Sequence, residues 1–148
     1  MRRLIVILGL TILTSDMFAC ECIPILTLEE HFKKADVVFY AKVKSINDRN
    51  VEGYRDTMHF IMDSLYTDKG GYHPTLLIKR TFKGKLKVDS EIDIKSIWGL
   101  CDVFFKRDSE YVVFGYIDKD GQIQTSVCVP TTILTDKEFL RRIEKLKS

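Results

Sequence analysis

Cys20 and Cys22 flank a single residue, Glu21, directly after Ala19, in a chain of 148 residues whose other two cysteines are Cys101 and Cys128. Two chemistries are open to this set: thiolates can hold a metal, or the sulfurs can be spent in disulfides. A structural zinc site wants two close cysteine pairs, or cysteines beside clustered histidines. Here Cys101 and Cys128 each stand alone, and His31, His59 and His73 are scattered. Disulfides are therefore the expectation, because an even number of cysteines lying after a candidate leader fits an exported chain. Four cysteines allow three connectivities. Bonding Cys20 to Cys22 would close a very tight ring, so each is expected to reach a distant partner. Loops of roughly eighty to a hundred residues would each contribute roughly 4 to 5 kcal/mol in the chain-entropy model, and less together because they overlap.

The segment ahead of the pair reads as a secretory signal peptide over residues 1–19. Arg2 and Arg3 supply the charged start, and Leu4 to Leu13 form an apolar run of the length such leaders use. That run is well short of the roughly twenty residues a membrane span needs. Small Ala19 suits a cut before Cys20, although Met17 is bulkier than the usual residue two positions earlier. Cleavage there would free the α-amine of Cys20 and leave residues 20–148 as one domain.

Elsewhere the chain is chemically quiet. Its formal net charge is +2, with Lys and Arg interspersed among Asp and Glu, so no nucleic-acid stripe is present. The densest basic cluster, Lys79-Arg80 with Lys83, Lys85 and Lys87, alternates along a strand and reads as a solvated face. No nucleophile elbow, zinc-protease helix motif, P-loop or dinucleotide fingerprint occurs. His31, beside Glu29 and Glu30, reads as a surface helix residue. The expectation is no enzyme and no cofactor.

The elements that must position the cysteines are mostly strands. Thr27-Leu28-Glu29-Glu30 is a capping-box pattern opening a helix to about Lys34. Residues 36–46 alternate as a strand, with Val37, Phe39, Ala41 and Val43 on one face. Further strands are expected over residues 75–82, 91–97, 110–117 and 122–127. Met58 to Tyr66 could be strand or helix, and Asp68-Lys69-Gly70-Gly71 reads as a turn. Asp118-Lys119-Asp120-Gly121 is a hairpin turn. A terminal helix over 136–147 places Phe139, Leu140, Ile143 and Leu146 on one face. Five or six strands with short turns predict a small all-β barrel with short flanking helices.

In this order the chain resembles the tissue inhibitors of metalloproteinases and the wider netrin-like domain family, from about Cys20 to Leu134. Cys20-Glu21-Cys22-Ile23-Pro24 is similar to the family's amino-terminal Cys-x-Cys-x-Pro. Residues 35–43 resemble its first long strand, Phe82-Lys83-Gly84 its Lys-Gly turn, and Gly99-Leu100-Cys101 the element that bonds the first cysteine. Residues 110–115, the Asp-Gly turn and Thr125-Ser126-Val127-Cys128 resemble its last hairpin. The resemblance implies an OB-fold-like five-stranded barrel, with Cys20 bonded to Cys101 and Cys22 to Cys128. It further implies that the amine and carbonyl of Cys20 chelate the zinc of a target metalloprotease, with Glu21 entering the specificity pocket and Cys22 bracing the edge.

Glu21 departs from the family, whose inhibitory members carry a small residue such as Thr or Ser at that position. Burying its carboxylate unpaired near the protease's catalytic glutamate would cost several kcal/mol. The family's third disulfide and its carboxy-terminal subdomain have no counterpart here, and the connection over residues 47–74 is long. Three roles follow from these residues. The first is a secreted, monomeric inhibitor whose partner is a zinc metalloprotease. The second is a non-inhibitory netrin-like module for another extracellular or envelope protein. The third is a lipoprotein anchored through Cys20, which Ala19 suits and bulky Phe18 does not. Lipidation would also leave an odd cysteine.

Overall fold

The computed structural model describes residues 20, 22, 24–48, 66–96 and 101–147. The expected leader over 1–19, Glu21, the ambiguous stretch from Met58 to 65, and residues 97–100 lie outside the described residues.

The longest strands are the two most regular sequence runs. β1 (Val37–Ile46) and β3 (Pro74–Lys83) are rich in β-branched and aromatic residues, which suit a pleated surface packed on one or both sides. Before them lies a short helix, α1 (Leu28–Lys34). It opens on a complete capping box, with Thr27 and Glu30 each satisfying the other's backbone N–H. Among the described residues between β1 and β3 are a helical turn, α2 (Tyr66–Lys69), and β2 (Gly70–Gly71). Then follow β4 (Glu91–Lys95), β5 (Phe105–Lys106), β6 (Glu110–Ile117), β7 (Ile123–Gln124) and β8 (Thr132–Ile133), and the chain ends in α3 (Lys137–Lys147).

β1 pairs on one edge with β3 and on the other with β6, both antiparallel. β3 continues to β4, β4 to β7 in parallel, and β7 to β6. The result is a closed, mixed, five-stranded barrel of the OB type, with β8 added to β6 as an outer strand. Closure needs a bent strand. β1 supplies the bend through register shifts at Val38/Phe39, Tyr40/Ala41 and Val43/Ser45, the local kinks that raise twist.

The period of two on β1 and β6 has a consequence beyond a half-buried sheet, because both faces are covered. Phe39, Ala41, Val43, Leu76, Ile78 and Val113 fill the barrel interior. Val38, Val112 and Phe114 point outward under Phe32 of α1 and Ile143 of α3. The terminal helix buries the face that its sequence spacing predicts, with Ile143 fully enclosed and Phe139, Leu140 and Leu146 packed beside it. Asp136 accepts a hydrogen bond from the Glu138 N–H at 2.8 Å, so the helix starts one residue later than expected.

The basic cluster is structural at two positions. Lys83 Nζ donates to the carbonyls of Phe32 and Lys33 at 2.9 and 2.7 Å, capping the end of α1. Arg80 pairs with Glu144 of α3, while Lys79, Lys85 and Lys87 are exposed. Gly84 ends β3 at φ +87°, and a Cβ there would sit 2.7 Å from Val37 Cγ1. Gly84→Ala is accordingly expected to cost about 1 to 2 kcal/mol, measured by equilibrium denaturation against wild type.

Two local expectations are corrected. Asp68 to Gly71 is not a free turn: residues 66–69 close one helical turn, and Gly70–Gly71 pairs with Phe105–Lys106. Glycine is required at Gly71 because a side chain would collide with Ile46 and the Asp48 carboxylate. The strand expected over 122–127 is reduced to Ile123–Gln124. Thr125 turns out of the ladder to bond the Phe114 carbonyl at 2.9 Å, and Cys128 is drawn into a disulfide.

Candidate functional site

Both amino-terminal cysteines are tied down at one edge of the barrel. Cys20 is bonded to Cys101 and Cys22 to Cys128, across sequence separations of 81 and 106. This is the pairing the resemblance implies. The two bridges touch: Cys20 Sγ lies 3.5 Å from Cys128 Sγ. The sulfurs of Cys20, Cys101 and Cys128 all lie within 4.8 Å of one another, close enough for thiolates to share a metal. All four cysteines are instead spent in disulfides, so this edge offers no thiolate.

The anchors are themselves anchored. The Val127 N–H donates to the Cys101 carbonyl at 2.8 Å, joining the two receiving segments side by side. Asp102, next to Cys101, accepts a hydrogen bond from the Ser96 hydroxyl at the end of β4. Thr125 and Thr131 hydrogen-bond each other at 2.7 Å and clasp the Phe114 backbone from both sides of the Cys128 turn. The edge therefore inherits the rigidity of β4 and β6. Flanking it, Ile25 is 95% exposed and Val127 50% exposed, an apolar margin beside a stapled backbone. Of the residues expected to work together here, Cys20 and Cys22 are brought to one place, and Glu21 lies outside the described residues.

A second constellation was invisible to spacing. Asp48 is fully buried. Its carboxylate accepts from the Tyr72 N–H at 3.1 and 3.0 Å and from the His73 N–H at 2.7 Å, with His73 Nδ1 at 3.4 Å. Asn47 N–H donates to the His73 carbonyl at 2.9 Å. Together these bonds pin the two ends of the long connection between β1 and β3. In the sequence Asp48 is one more polar residue in a polar stretch, and no periodicity marks it.

The turn between β6 and β7 is built on one carboxylate. Asp118 Oδ1 accepts from the N–H groups of Asp120 and Gln122 at 2.9 Å each, and Oδ2 accepts from Lys95 and Gln124 at 3.0 Å each. The Gln122 N–H first, and then the Lys95 ammonium, hold its pKa below the ordinary 3.8. Because the folded value is the lower one, the stabilisation is complete above the ordinary value and is lost as pH falls through the folded value. In an acid titration followed by NMR, the Asp120 and Gln122 amide signals are expected to hold until after unperturbed aspartates have protonated. Movement at the ordinary midpoint would contradict this.

Among the described residues no helix is long and apolar enough to cross a membrane. Comparison with known proteins found no matching protein family and no matching curated protein.

Proposed function

We propose that the chain, after removal of residues 1–19, is an exported inhibitor of zinc metalloproteases acting through the backbone of Cys20. The observation that carries this reading is the pair of touching disulfides holding Cys20 and Cys22 against a closed barrel, with Ile25 and Val127 exposed beside them. A catalytic zinc keeps an open position normally filled by water. The neutral α-amine and the carbonyl oxygen of Cys20 would displace that water as a chelating pair. The stapled segment would lose little conformational freedom on docking, and disulfides spanning such long loops persist in oxidising compartments.

The test is an inhibition assay on the mature protein against a panel of zinc metalloproteases, beside a variant carrying one added alanine ahead of Cys20. The parent is expected to inhibit and the extended form is not, because the extension converts the amine into an amide. Equal potency of the two, or no inhibition by the parent, would overturn the proposal. Intact mass of the mature protein settles the starting species. Two disulfides and a free amino terminus are expected, whereas a diacylglyceryl adduct on Cys20 would point to the lipid-anchored role. Glu21→Thr is expected to tighten inhibition at least about tenfold, since several kcal/mol of carboxylate burial would be relieved. An unchanged inhibition constant would show that residue 21 does not enter an apolar pocket.

A further inference from the structure

The two bridges are close enough to react with each other. Cys20 Sγ sits 3.5 Å from Cys128 Sγ, although the two sulfurs belong to different disulfides. Disulfides exchange when a thiolate attacks a bonded sulfur and displaces its partner. Reacting atoms held about 3 to 3.5 Å apart gain a large advantage over attack from solution. In the intact protein all four sulfurs are bonded, so no attacker is present. Reduction of either bridge supplies one. All four cysteines are half-buried rather than enclosed, which leaves the cluster open to a small reagent.

We propose that the two bridges form a single thiol–disulfide exchange site whose reactant is a dithiol, and that reduction of either one leads to a bond between Cys20 and Cys128. A dithiol that reduces the Cys22–Cys128 bridge passes it two electrons and two protons and becomes a disulfide itself. The Cys128 thiolate then attacks Cys20, forms the Cys20–Cys128 bond and expels the Cys101 sulfur, which takes up the proton that Cys128 released. Reduction of Cys20–Cys101 instead leaves the Cys20 thiolate to attack Cys128 and expel Cys22. This second step changes neither the number of thiols nor the number of disulfides. Both routes end with Cys20 bonded to Cys128 and with Cys22 and Cys101 as thiols.

Chain entropy does not oppose the transfer. The bonds Cys20–Cys101, Cys22–Cys128 and Cys20–Cys128 close sequence separations of 81, 106 and 108. Loop closure distinguishes such lengths by less than about twofold, so the contact between sulfurs is left to choose the partner. Cys20, Cys101 and Cys128 have their sulfurs within 4.8 Å of one another. The receiving segments are also held by bonds that do not involve sulfur. The Val127 N–H donates to the Cys101 carbonyl at 2.8 Å, and the Cys128 N–H donates to the Ser126 hydroxyl at 3.2 Å. Transfer would reduce the amino-terminal clamp from two attachments to one while keeping Cys20 at the barrel edge. Neither the Cys20 amine nor a protease takes part, so the exchange stands or falls apart from inhibition.

The experiment treats the mature, disulfide-bonded protein with an equimolar amount of dithiothreitol near pH 8, where thiols ionise. The reaction is quenched with acidic N-ethylmaleimide, and the labelled and bonded cysteines are mapped by peptide mass spectrometry. Protein that has lost one bridge is expected to include a Cys20–Cys128 form, labelled on Cys22 and Cys101, within about tenfold of either native single-bridge form. Two variants follow the routes separately, and the parent experiment stands even if one of them fails to fold. Cys22→Ser is expected to carry label on both Cys128 and Cys101, and Cys101→Ser on both Cys20 and Cys22. Label confined to native pairs in the parent would overturn the proposal, as would a Cys101–Cys128 bond formed in place of Cys20–Cys128. The same pairing ratios in urea-unfolded protein would overturn it too, because the folded contact would then not be what selects the bond.

Discussion

Replacing Cys22 and Cys128 together by serine is expected to lower the unfolding free energy by about 3 to 4 kcal/mol. The bridge closes a sequence separation of 106 residues, for which chain entropy alone gives about 4.7 kcal/mol. The Cys20–Cys101 bridge overlaps that loop and already restricts part of the same unfolded chain, so the full figure is not lost. Urea denaturation monitored by tyrosine and tryptophan fluorescence measures the change. The slope of the transition should steepen as well, because an uncrosslinked unfolded chain exposes more surface. A loss below about 1 kcal/mol would mean that the second bridge leaves the unfolded state nearly as constrained as before. The double variant is the proper comparison, since replacing Cys22 alone leaves the Cys128 thiol 3.5 Å from the Cys20 sulfur of the neighbouring disulfide.

Asp48→Ala is expected to cost about 3 kcal/mol or more. Its carboxylate is fully buried and satisfies the N–H groups of both Tyr72 and His73. Alanine would leave those two backbone donors inside the protein without their acceptor, and an orphaned buried donor costs far more than a hydrogen bond contributes on average. Asp48→Asn keeps one oxygen for the donors and should cost less than alanine, which separates the hydrogen bonds from the shape of the site. Amide hydrogen exchange gives the local readout: Tyr72 and His73 should lose protection in the alanine variant while the β1–β6 ladder keeps most of its own. Equal loss across both would show that the cluster is no local lock and that the whole barrel depends on it.

Much of the fold was legible because burial on one face leaves a period in the sequence. β1, β3 and β6 fall within a residue of the expected strands, and the terminal helix presents the expected face to the barrel. Less legible were the short pairings. Gly70–Gly71 with Phe105–Lys106 carries no period at all, and its glycines look like turn residues from sequence alone. They are there because the neighbouring backbone and the Asp48 carboxylate come too close for a side chain. The last hairpin is shorter than its residue pattern suggests for a related reason: Thr125, Thr131 and Cys128 spend their bonds on β6 and on a distant cysteine.

For the candidate sites the division is sharper. Residue order alone carries the four cysteines, the two of them that flank one residue after an apolar leader-like run, and the alternation of the strands around them. Those are statements about covalent order and local period, which a linear chain carries in full. The contact between the two disulfides, and the exposure of Ile25 and Val127 beside them, arise in the folded chain. Folding also gathers the sulfurs of Cys20, Cys101 and Cys128 within 4.8 Å of one another. Such residues lie far apart along the chain, and their approach is set by how the barrel closes. Closure is a global property of strand pairing and twist, and no window along the chain contains it.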